Sequence, residues 1–151
     1  MNIKIVLVAI TFIALACNNS ASDADKAKEK TAKTQEDSLF HDVMEGHDIG
    51  MAKLGKLKRA IAQTQQSLDS LNKLPAAKLD KQYQQALLDL QEDLNYAEFG
   101  MNTWMEEFVL DSAQDNAELR IKYLQSEKDK VTKVRDNILN GLQRADSLLK
   151  K

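Results

Sequence analysis

Two histidines, one cysteine, one proline and one tryptophan stand among 151 residues, and each scarcity removes a class of explanation. A single cysteine cannot close an intrachain disulfide. The residues three places before His41 and His47 are Ser38 and Met44, so the Glu-x-x-His pairs of carboxylate di-iron bundles are missing. There is no HExxH, no GxSxG and no glycine-rich phosphate loop, which leaves hydrolytic and phosphoryl-transfer chemistry without its usual parts. Aromatics make up 5% of the chain and the net charge is −2 with acids and bases interspersed. That pattern supplies neither a basic face for nucleic acid nor a polybasic patch for a membrane surface. No alternating apolar stretch is bounded by turn residues, so nothing reads as strand, and no period of 20 to 50 residues recurs.

One long apolar run is present, at the start: MNIKIVLVAITFIALAC, with Lys4 ahead of Ile5 to Ala16 and then Cys17. It has the composition of a secretory signal and is too short for a stable membrane span. Its end, ALAC, resembles the lipobox of bacterial lipoproteins, although Leu15 sits one place later than leucine usually does there. The resemblance implies removal of residues 1–16 and lipidation of Cys17. An exported compartment would permit disulfides, and a lone cysteine at the end of a leader is better explained by lipid than by redox chemistry. The stretch from 18 to 37, NNSASDADKAKEKTAKTQED, lacks any large apolar residue. Burial cannot offset its ordering entropy, so 17–37 is expected to be the lipidated cysteine and a flexible tether.

Residues 38–151 are expected to form one domain with a modest core. Phe40, Val43, His47, Leu54, Leu57, Ile61, Leu68 and Leu71 recur at helical spacing, which predicts an amphipathic helix over 38–73. Pro75 stops it, because proline lacks an amide proton and pushes Leu74 out of helical geometry. Tyr83, Leu87, Leu90, Leu94, Ala97, Met101, Trp104 and Phe108 then alternate steps of four and three, a heptad seam that predicts a second helix over 76–108. Ser112 or Asp115 can cap a third helix over 113–150, with Glu118 completing a capping-box spacing from Asp115. Its core row is Leu124, Val131, Val134, Ile138, Leu142, Ala145 and Leu149, with Glu127 interrupting one position. The expected fold is all-α: an up-down-up antiparallel three-helix bundle with coiled-coil-like packing, roughly 50 Å long.

VMEGHDIGMAKLGKL (43–57), AEFGMNTWMEEF (97–108) and YLQSEKDKVTKVRDNI (123–138), in that order, resemble a group of small helical lipoproteins of the Bacteroidota. Those proteins often carry the automatic label "viral A-type inclusion protein". The most specific parts are the VMxxHDxxM and MxxWMxxF runs. The chain departs from the pattern at Ala52, where proline is common, and at Leu54, where methionine is common. The family brings no established activity, and its label reflects coiled-coil similarity. Together with the leader, the resemblance implies lipid anchoring in the envelope of a Gram-negative bacterium, at the outer rather than the inner membrane.

A hairpin about Pro75 places residues equidistant from it side by side. Met44 lies 31 before the proline and Met105 30 after; His47 lies 28 before and Trp104 29 after; Met51 lies 24 before and Met101 26 after. On a wheel at 100° per residue, Phe40, Met44, His47 and Met51 fall within about 60°, and His41 sits roughly 60° further round. One expectation is ordinary packing, with sulfur-aromatic contacts at an irregular core end. The other is a soft-metal site: thioether and imidazole suit copper(I), with Met44, His47, Met51, Met101 and Met105 as ligands and His41 and Trp104 around them. Haem held by His and Met is a remoter form of the same idea. The sequence thus points to a non-enzymatic, lipid-anchored protein of structural or binding role, with the membrane and an envelope protein as partners and no nucleic acid. Copper(I) binding is the alternative.

Overall fold

The computed structural model describes residues 34–150. The signal segment, Cys17 and most of the expected tether lie outside the described residues. Three helices, α1 (Gln35–Leu71), α2 (Lys81–Glu107) and α3 (Ala117–Leu148), pack on one another, with a single 3₁₀ turn at Ala76–Lys78 between the first two. There is no strand among the described residues, and no described helix is long and apolar enough to cross a membrane.

Each helix begins where a short polar side chain can take up free amide protons. Thr34 and Asp37 form a reciprocal capping box: Thr34 Oγ1 accepts from Asp37 N at 3.1 Å, and the Asp37 carboxylate accepts from Thr34 N at 3.1 Å. Helix α1 therefore takes in the last three residues of the stretch assigned to the tether, because an acid three places after a threonine outweighs the lack of apolar residues. Asp80 caps α2 through Tyr83 N at 3.0 Å, which starts that helix at 81 rather than 76. The cap of α3 is Asn116, accepting from Leu119 N at 3.1 Å, not Ser112 or Asp115.

Cross-helix pairs give the direction of each element. Asp42 meets Lys128 and Lys56 meets Asp146, so α1 and α3 run the same way. A Cβ at Gly100 would contact Val134, and one at Gly141 would contact Leu94, so α2 runs against α3. Three long helices in up-down-up order follow, as the periodicity predicts.

The core rows of α2 and α3 match the sequence pattern. Leu87, Leu90, Leu94, Ala97, Met101 and Trp104 are buried, as are Leu124, Val131, Ile138, Leu142 and Ala145, while Val134 and Leu149 are partly buried against them. The inward row of α1 differs: it is Leu39, Val43, Gly46, Gly50, Leu57, Ala60, Thr64 and Leu68. Leu54, Ile61 and Leu71 pack along its edge, and Phe40 and His47 are only partly buried. Small residues take inward positions because α1 runs very close to its neighbours. A Cβ at Gly46 would stand 3.0 Å from Val131 Cγ1, and one at Gly50 would overlap the Met101 methyl. Thr64 sits in the same row without an orphaned hydroxyl, since Oγ1 donates to Ala60 O at 2.8 Å.

Two glycine substitutions separate close approach from plain helix propensity. Gly55 faces open space apart from Arg59 at 3.8 Å, so Gly55→Ala should raise stability by up to ~1 kcal/mol. Gly50→Leu should lower it by about 1–3 kcal/mol or more through overpacking against Met101 and Ile138. Urea denaturation of the two variants checks both signs.

Candidate functional site

At the end where α1 and α3 begin and α2 finishes, four rings form a column. His47 from α1 lies 5.6 Å from Trp104 of α2, centroid to centroid; Trp104 lies 4.9 Å from Phe108, and Phe108 6.1 Å from Tyr123 of α3. The Arg120 guanidinium closes the column, 5.9 Å from the Tyr123 ring centre. Heptad spacing puts Trp104 in the core row of α2, and the reversal of the chain brings His47 beside it, as the distances from Pro75 predict.

Polar side chains at this end are paired. The buried indole N–H of Trp104 donates to Glu127 Oε2 at 3.0 Å, and Lys130 Nζ donates to Glu127 Oε1 at 2.8 Å. Buried Arg120 donates to Glu36 at 3.2 Å and to the Ser112 carbonyl at 3.0 Å. Tyr123 Oη accepts from Val109 N at 2.7 Å, which ties the α2–α3 connection to the column. The hydrogen bond to Glu127 holds the Lys130 ammonium above its ordinary range, with partial burial working against it and the Glu127 and Glu107 charges adding to it. A raised lysine value stabilises the fold below the ordinary lysine range and is lost as pH climbs through the folded-state value.

The five proposed ligands do not share one environment. Met101 is fully buried, its methyl over Gly50. Met44 and His47 are half-buried, Met51 and Met105 are each 37% exposed, and His41 is exposed. The heptad register sorts them further. Lys58 and Glu98 form an ion pair at 3.6 Å across the α1–α2 seam. Met51 lies one heptad before Lys58 and Met105 one heptad after Glu98, but the Gly50–Met101 and His47–Trp104 contacts, each pair adding to 151 in residue number, set Met105 level with Gly46 rather than with Met51, which stands roughly 7.5 Å further along the axis. Met44 continues the row one heptad on, with His47 between. Met101 belongs to the core row instead. His47 Nδ1 contacts Asp48 Oδ1 at 2.9 Å; with the proton on Nδ1, the Nε2 lone pair is left to accept or to ligate. The seam thus offers thioethers and an imidazole at partial exposure. Among the described residues no three of His, Cys, Asp and Glu gather as a metal-holding group.

Glu127 and Arg120 are the residues that sequence reading undervalues. Glu127 registers there only as an interruption of the α3 row, yet a buried indole needs an acceptor, and an acid in an apolar row facing the single tryptophan supplies it. Arg120 carries no comparable signal, since its partners are Glu36, 84 positions away, and a loop carbonyl.

Comparison with family models, with curated proteins and with solved structures gives no match.

Replacing Glu127 by Leu leaves the Trp104 N–H buried without an acceptor and should cost about 1–3 kcal/mol. Glu127→Gln keeps an acceptor and should cost roughly 1 kcal/mol or less. Removal of the charge in either variant should also flatten the loss of stability on the alkaline side, which thermal melts between neutral pH and the lysine range will read.

Proposed function

We propose that this chain is a lipid-anchored cell-envelope protein whose role is structural or binding rather than catalytic. The observation that carries the proposal is the ALAC sequence ending at Cys17, the one cysteine in the chain, behind an apolar leader of export type. The three blocks that resemble Bacteroidota lipoproteins support the same address, at the outer membrane of a Gram-negative cell. A rigid three-helix bundle on such an anchor suits presentation of helix faces to an envelope protein. One lipidated cysteine carrying more than one acyl chain would hold it stably, whereas a single chain gives only marginal binding.

The α1–α2 seam favours a second reading, copper(I) binding. Met44, His47 and Met51 recur along one side of α1, the Gly50–Met101 and His47–Trp104 contacts bring Met105 level with Gly46 between the first two, and thioether with imidazole is a donor set that selects a soft cation. Ligation by Met101 would require its methyl to leave the space over Gly50. Trp104, whose ring centre is 5.6 Å from that of His47, is the natural reporter.

Radiolabelled palmitate should enter the wild-type protein in a bacterial host and be absent from Cys17→Ser, which should also leave the membrane fraction; label in Cys17→Ser would overturn the anchor. For the second reading, anaerobic copper(I) titration against a competing chelator should quench Trp104 at one equivalent. His47→Leu/Met51→Leu/Met105→Leu should abolish the quenching while keeping its helical circular dichroism. Failure of the wild-type protein to compete with the chelator removes copper from consideration.

A further inference from the structure

The face of α2 that points away from the core is not uniformly polar. Leu88, Tyr96 and Phe99 are 47%, 58% and 64% exposed. At 100° per residue they fall within about 80° of one another, centred roughly opposite the Leu87, Leu90, Leu94 and Met101 row. Tyr96 and Phe99 border a shallow groove beside Gly100 and Val134, yet they are the most exposed large rings of the helix. An apolar stripe along an outward helix face is the signature of a helix-on-helix contact.

The residues along this stripe are self-complementary about a point between Asp93 and Leu94. Turning α2 end for end about that point sets Leu88 opposite Phe99, Glu92 opposite Asn95 and Tyr96, and Lys81 opposite Glu106, each pair adding to 187 or 188 in residue number. Lys81, Glu92, Asn95 and Glu106 are all exposed and lie on the same face as the apolar residues. A two-fold axis requires this of an isologous interface: the patch must match its own reverse. We infer that α2 docks antiparallel on α2 of a second copy of this chain, with Leu88 and Phe99 packed across the two-fold axis and Lys81 paired with the partner's Glu106 at each end. The tyrosine hydroxyl of Tyr96 comes opposite the partner's Glu92 carboxylate, an acceptor for its proton. The contact runs along a helix of about 40 Å, and it depends on neither the lipid anchor nor copper.

Residues Lys33–Lys151 form one compact unit with its core complete within it, so the unlipidated chain from Asn18 onward is a valid subject. Sedimentation equilibrium between about 1 µM and 1 mM should show a monomer–dimer equilibrium. Phe99→Glu should raise the dissociation constant at least about tenfold with helical content unchanged. Lys81→Glu alone should weaken the dimer by setting like charges opposite each other at both ends, and Lys81→Glu/Glu106→Lys should restore it. Both charge changes suit the helix dipole of α2, an acid in its first turn and a base in its last, so neither threatens the fold. A wild-type chain that stays monomeric throughout overturns the inference and leaves the stripe to a different protein. So does a dimer indifferent to Phe99→Glu, or one that the double charge reversal fails to restore.

Discussion

The closeness of α1 to the other two helices, set at Gly46 and Gly50, governs the layout of the bundle. Without side chains at those two positions, Val131 and the Met101 methyl occupy the space that Cβ atoms would take. The approach turns α1 so that Leu39, Val43, Leu57 and Leu68 face inward, and carries Met44, His47 and Met51 round to its flank. The placement of His47 beside Trp104 and the enclosure of Met101 follow from it. A helix-interior glycine costs up to ~1 kcal/mol against alanine. The return is dense packing over buried side chains, where each well-enclosed large apolar residue contributes roughly 1.5–3 kcal/mol.

The two ends of the bundle are built differently. Toward the Pro75 turn, leucines fill the space, with Leu68, Leu87 and Leu90 enclosed and Leu71 and Tyr83 at the margin. At the other end the core gives way to stacked rings tied in by polar contacts, Trp104 to Glu127 and Tyr123 to Val109 N, with Arg120 and Glu36 paired beside them. Such a network fixes one arrangement more tightly than leucines can, because a misplaced partner leaves a buried donor or charge unpaired. It also anchors Val109 and Ser112, so the α2–α3 connection inherits a defined path even where Ala113 adopts φ of 57°.

Helix number, direction and the inward rows of α2 and α3 were legible in the sequence, because each row carries large apolar residues at helical core spacing, interrupted in α3 by Glu127. The inward row of α1 was not. Hydrophobic periodicity weighs Phe40, His47, Leu54 and Ile61 as core and passes over Gly46, Gly50, Ala60 and Thr64, whose burial reflects backbone proximity rather than affinity for apolar surroundings. Helix starts shifted by three to five residues for a related reason: the decisive side chains, Thr34, Asp80 and Asn116, act through local hydrogen bonds that periodicity does not register. The meeting of His47 with Trp104 was legible because it needed only the position of Pro75. The division of the methionines between seam and core was not, since it turns on the rotation of α1.

An odd number of helices leaves the chain entering the bundle at Thr34 and leaving it at Leu148 at opposite ends, roughly 50 Å apart. Tension applied between those two points would act along the helix axes, sliding α1 past its parallel neighbour α3. Every turn of that shared surface would then resist at once, including the knobs that Val131 and Ile138 set against Gly46 and Gly50. A bundle with an even count, gripped at one end, would peel open a single turn at a time. The architecture is therefore suited to bearing a pull along its length, a mechanical property set by helix parity alone.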